Sequence, residues 1–180
     1  EHIPAGIADE KESLKGLKSF LIHSFGKDSM VLAFENYQVV FNESYIADQK
    51  MDRNLVRSKV MEWARNQASV QFVIDLEHIQ DAVVPASIKE KVINGYSTHR
   101  SGSIQLILNP AWYDGHSKTG TTHGTWNPYD AHIPLLWYGW NIPKGNTNKE
   151  VYMTDISATL AALLHIQMPN ACIGKSIFNN

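Results

Sequence analysis

Apolar residues along the chain change period several times, and each change predicts an element. Leu14, Leu17 and Leu21 recur at three- and four-residue spacing, which predicts a helix from Glu10 to Phe25 with Gly26 placed to end it. "SMVLAFENYQVVFN" then holds two short apolar runs around Glu35 and Asn36 and predicts a β-hairpin. Val56, Val60, Trp63 and Ala64 return to helical spacing, so a second helix is expected from about Asp52 to Gln67. "VQFVIDL" reads as a strand, Ile88 to Ile93 as a short helix, and "GSIQLILNP" as another strand in which Ile104, Leu106 and Leu108 alternate with Gln105 and Ile107.

From Asn109 to Pro128 the periodicity stops. "NPAWYDGHSKTGTTHGTWNP" is dense in Gly, Pro, Asn, Asp, Ser and Thr, and exceeds the ~12–15 residues beyond which structureless connections are usually functional or disordered. Its aromatic residues argue for order. "HIPLLWYG" follows as a nearly continuous apolar run, the pattern of a core strand covered on both faces. "TDISATLAALLHIQ" predicts a closing helix, capped by Thr154 or Asp155, with Ile156, Leu160, Leu163 and Leu164 on its apolar stripe. Helices and strands in this order give a mixed α/β (α+β) class. Residues 1–180 are expected to form one domain, with a small antiparallel sheet plus helices over 10–108 and the loop, core strand and last helix over 109–180.

Composition narrows the function classes. A net charge of −2 supplies no field for nucleic acid or for an anionic membrane surface. No stretch reaches the ~20 apolar residues of a membrane span. Cys172 is the single cysteine, which rules out a disulfide framework or a cysteine-based zinc module within one chain. "EHIPAGIADEKESLKG" at the N-terminus has no apolar signal-peptide core and no Met, so it reads as the start of a mature protein or of a piece of a larger one.

Titratable groups concentrate in the long loop. Asp114, His116, His123, Asp130 and His132 are ligands of the type that suits zinc, and Asp130 and His132 would face one way on an extended segment. Their spacing matches no compact zinc module. Gly120 and Gly124 frame His123 and permit the close approach and unusual φ that a ligand loop uses, while the bland alternative is a loop histidine donating to a carbonyl. In "GYSTHRSG", Ser97, Thr98, His99 and Arg100 lack the strand–turn–helix frame of a nucleophile elbow and read as a solvated turn. No Gly-rich phosphate loop is present. Trp112, Trp126, Trp137 and Trp140 read as packing residues around the loop rather than a stacking platform.

The stretch Gly-Thr-Thr-His-Gly (residues 120–124), then Tyr-Asp-Ala-His-Ile-Pro-Leu-Leu, Tyr-Gly, and Asp-Ile-Ser-Ala-Thr-Leu-Ala-Ala-Leu-Leu, resembles the C-terminal part of the alkaline phosphatase superfamily. It is most similar to the secreted bacterial branch related to nucleotide pyrophosphatase/phosphodiesterases. "NGYSTHRSG" extends the likeness, so it is taken to cover the whole chain. The resemblance implies a portion of a three-layer α/β sandwich and hydrolysis of phosphate monoesters through a Thr or Ser phospho-enzyme. It also implies two zinc ions about 4 Å apart, a small phosphorylated substrate, and export to the periplasm or beyond. By the same resemblance His123 is a zinc ligand; Asp130, His132 and Thr122 are candidates to support that ligand from behind or to serve as plain loop residues. The family's Asp-x-x-x-His pair, Asp-His-Gly motif and nucleophile are absent here. The chain alone is therefore expected to be an inactive C-terminal fragment that lacks its N-terminal portion, exposes apolar surface and forms a homodimer. A phosphodiesterase or nucleotide pyrophosphatase of the same superfamily and a non-catalytic binding module are the alternatives.

Overall fold

The computed structural model describes residues 4–178 apart from His116, Lys118, Gly120, Thr121, Trp140 and Asn141. The chain divides into two compact units, Glu1–Ile133 and Pro134–Asn180.

In the first unit, strand β1 (Gly6–Ile7) leads into helix α1 (Glu10–Phe25). The Asp9 carboxylate accepts the Glu12 N–H at 2.9 Å, and Gly26 ends the helix at φ 73°, the left-handed conformation that glycine adopts without strain. Strands β2 (Val31–Glu35) and β3 (Gln38–Phe41) form the hairpin. Its two turn residues, Asn36 and Tyr37, both have positive φ (50° and 58°), which matches the twist of the paired strands. Helices α2 (Glu43–Asp48) and α3 (Arg53–Arg65) follow, the second capped by Asp52, which accepts from the Asn54 and Leu55 N–H groups. Strand β4 (Val70–Asp75), a 3₁₀ turn at Ile79–Asp81, helix α4 (Ala86–Gly95) and strand β5 (Ile104–Leu108) complete the α+β core. Strand β6 (Trp112–Tyr113) and the one-turn helix α5 (Pro128–Ala131) bracket the long loop.

The sheet order is β2-β3-β5-β4, antiparallel throughout, and β1 pairs separately and in parallel with β6. Alternation along β5 accounts for the layering. Ile104, Leu106 and Leu108 join the core made with Leu17 and Leu21 of α1 and Val56, Val60 and Trp63 of α3. Ile107 turns to the other face, where Ile74, Leu76, Ile79 and Val92 cover it. All five residues of β5 are thus buried. Gln105 is tolerated there because its amide donates to the Tyr37 and Leu106 carbonyls at 3.2 and 3.1 Å and its oxygen accepts from the Gln38 amide at 2.8 Å.

The second unit departs from expectation in two places. "HIPLLWYG" forms no strand, and Leu136 and Tyr138 stand 88% and 103% exposed. A strand needs a hydrogen-bonding neighbour, and none of the described residues pairs with this run. Helix α6 (Asp155–Leu164) forms as predicted, but Ala158, Thr159 and Ala161 are its buried residues while Leu160 and Leu164 face solvent. The C-terminal segment sets that orientation. Asp155 accepts the Lys175 N–H at 2.8 Å, and the Thr159 hydroxyl accepts the Ile177 N–H at 3.0 Å. Thr154 is the N-cap residue but makes no side-chain capping bond, and the Asp155 carboxylate reaches back to the Tyr152 N–H at 2.9 Å.

Candidate active site

The long loop leaves β6 from an anchored point. The Asp114 carboxylate accepts the Glu10 N–H at 3.0 Å, and its own N–H donates to the Tyr37 hydroxyl at 3.0 Å. A Glu10 carboxylate oxygen accepts the Tyr37 N–H at 2.8 Å and closes a three-residue ring of hydrogen bonds. Burial raises the Glu10 carboxyl above the usual range, reinforced by the neighbouring Asp114 and Glu35 charges. The Tyr37 phenol is raised as well, chiefly by burial. Asp114 is therefore an anchor of the start of α1, with a carboxylate oxygen committed to a backbone amide.

Further along, His123 is exposed and its imidazole makes no hydrogen bond among the described residues. Gly124 after it adopts φ +106° with no atom near the place a Cβ would occupy. Thr122, His123 and Gly124 line one side of a cavity of about 380 Å³, and Tyr37, Lys91 and Tyr96 are among the residues around the rest of it. The Thr125 N–H donates to Asp130 at 2.5 Å, and the Ala111 N–H donates to the Tyr129 hydroxyl at 2.9 Å, so α5 ties the returning arm of the loop to its base. His132 ends α5, exposed, with its N–H on the Pro128 carbonyl.

The local metal cluster imagined from the five loop residues does not assemble. Among the described residues, Asp114, His123, Asp130 and His132 form no group of three ligand atoms, and His116 lies outside the described residues. One Asp114 oxygen accepts the Glu10 N–H at the start of α1, and one Asp130 oxygen accepts the Thr125 N–H within the loop. Residues 97–101 form the expected turn, with the Arg100 and Ser101 N–H groups on the Ser97 carbonyl. Trp112 packs over Gly6, where an added Cβ would collide with the ring. Trp126 lies against the second core cluster, Trp137 meets Phe178 edge-on at 5.6 Å, and Trp140 lies outside the described residues.

One group escaped sequence reasoning. Asp75, Glu77 and His78, at the end of β4, bring three ligand atoms within 4.8 Å of one another. The Asp-x-Glu-His string was the available signal. Arginines already occupy it: Arg57 lies 3.2 Å from Asp75 and 3.3 Å from Glu77, and Arg53 bridges Glu77 and Glu43 at 2.6 and 2.7 Å. The Glu43 and Glu77 carboxylates hold the Arg53 guanidinium above even the usual arginine range. A cation would have to displace these partners, so the cluster is an ion-pair network between α3 and β4.

No protein-family profile matches the chain. Alkaline phosphatase PafA of Elizabethkingia meningoseptica is 41% identical over 175 residues, which are 97% of this chain and 32% of that protein. The crystal structure of wild-type PafA aligns with a TM-score of 0.91 at 40% identity, over 97% of this chain and 33% of that one. This chain matches the C-terminal part of an alkaline phosphatase-superfamily enzyme. A multiply substituted PafA variant aligns with a TM-score of 0.88 at 41% identity, over 97% and 33% of the two chains. Alkaline phosphatase PhoV of Synechococcus elongatus is 42% identical over 142 residues, 79% of this chain and 26% of the relative. A protein of Myroides odoratus named calcium-transporting ATPase is 39% identical over 174 residues, 96% of this chain and 32% of its own. The chain thus spans about a third of the length of the relatives it matches. Among the described residues no helix is long and apolar enough to cross a membrane.

Proposed function

We propose that this chain forms one wall of the active site of a zinc-dependent phosphate monoesterase, within a longer exported protein that supplies the nucleophile and most metal ligands. The observation that carries the reading is His123, an exposed imidazole with no partner among the described residues, followed by a glycine with no atom near the place a Cβ would occupy. These features fit one ligand of a metal centre and not a whole centre, since a catalytic zinc takes about three protein ligands. When bound, a pair of such ions holds a phosphoryl group and stabilises charge developing on its oxygens. The chain's own part is to present an imidazole nitrogen and to line the space beside it with Thr122 and Gly124. The phosphatase names of two relatives support monoester hydrolysis. The ATPase name of the third favours a second reading, cleavage of a nucleotide's phosphoanhydride.

The test is zinc content and p-nitrophenyl phosphate turnover of the longer protein against its His123→Ala variant. Loss of zinc together with loss of turnover is expected. Full zinc and full rate in the variant would make His123 structural. Faster turnover of ATP than of p-nitrophenyl phosphate would move the substrate class to the second reading. The 180-residue chain alone is expected to hold no stoichiometric zinc.

A further inference from the structure

We infer that Asp130 is the positioning residue of the histidine loop, holding His123 in place through the backbone that follows it; the role rests on His123 being a metal ligand. At φ +106°, with no atom within 4 Å of the place a Cβ would occupy, Gly124 has no side chain to hold its backbone in that conformation. A ligand attached to so free a hinge would sweep a wide arc, and ordering it on the metal would cost affinity. The next peptide removes that freedom. Its N–H, on Thr125, donates to an oxygen of Asp130 at 2.5 Å, a short charge-assisted bond.

Asp130 is itself held. Pro128 opens α5 with a fixed φ, the Asp130 N–H donates to the Asn127 carbonyl at 3.0 Å, and the neighbouring Tyr129 hydroxyl accepts the Ala111 N–H beside β6. A continuous path therefore runs from β6 through α5 and Asp130 to Thr125, Gly124 and His123. Among the described residues Asp130 has no ion-pair partner, and its one side-chain hydrogen bond is to this amide.

Three variants of the longer holoenzyme test this beside His123→Ala, read by the rate of zinc loss to a chelator, by zinc stoichiometry, and by turnover with and without added zinc. Asp130→Ala is expected to lose zinc about tenfold faster, the lower range for losing a partner that orients a metal ligand, and to regain turnover in excess zinc. Asp130→Asn keeps an acceptor oxygen and stays close to the parent. Asp130→Glu moves the acceptor by one methylene and falls between them. Zinc loss from Asp130→Ala at the parental rate, or from Asp130→Asn as fast as from Asp130→Ala, overturns the positioning role while the ligand reading stands. Should Asp130→Ala fail to fold, the order of the other two decides: zinc loss faster from Asp130→Glu than from Asp130→Asn supports the role, and the reverse order sinks it. Full zinc in His123→Ala removes the ligand reading itself.

Discussion

Residues 10–108 and residues 134–180 are about equally rich in apolar residues, yet only the first stretch buries them well. Leu17, Leu21, Val39, Val56, Val60 and Ile104 are completely buried between two helices and the sheet. In the second unit Leu136, Tyr138, Met153, Leu164 and Ile166 are each more than half exposed. The contrast teaches that an apolar pattern states a demand for cover without saying where the cover comes from. The α+β unit meets the demand with its own chain. The second unit leaves most of it unmet, and apolar patches of this kind drive association.

The sharpest way to break the comparison is a matched pair of truncations. Leu21→Ala removes a fully buried side chain and is expected to cost about 2–5 kcal/mol in chemical denaturation. Leu160→Ala, 44% exposed on α6, is expected to cost under about 0.5 kcal/mol in the isolated chain. Equal losses would mean that the second unit has a core of its own. Next in size is association: light scattering of the isolated chain is expected to show dimers or larger species, and the double change Leu136→Ser with Tyr138→Ser to shift them toward monomer. A monomer at high concentration without any substitution would break the contrast.

The smallest effect concerns the anchor of the loop. The folded-state pKa of Glu10 is raised, so the native form binds its proton more tightly than the unfolded form does. Its contribution is fully present below the unfolded value of about 4.3 and is lost as pH rises through the higher folded value. Glu10→Gln keeps an oxygen for the Tyr37 amide and should flatten this pH dependence, by under about 0.5 kcal/mol because solvent still reaches part of the group and screens it. An unchanged slope of stability against pH between 4 and 6, measured by urea titration, would separate Glu10 from that dependence.

Much of the fold was legible because local signals agreed with one another. Asp9 and Gly26 bound α1, Asp52 starts α3, and the apolar spacing between those marks names the residues that became buried. The two-residue strands β1 and β6 were not legible, since nothing local distinguishes a bridge between residues 6 and 112. In α6 the periodicity named residues that share a face, and the C-terminal segment chose a different face to cover. The site was legible only in part. His123 came from a motif, whereas the Asp130–Thr125 bond needed coordinates, because a carboxylate on a backbone amide leaves no mark in residue spacing.

The passage of the C-terminal segment over α6 carries a warning for anyone reading substitution scans. At Gly174 even a methyl group would collide with the Thr154 carbonyl, so every replacement must lift the segment away from the helix. Plotted along the sequence, that position will show the intolerance usually credited to catalysis. Its intolerance is that of a keystone: the segment and the helix beside it lean on its being small.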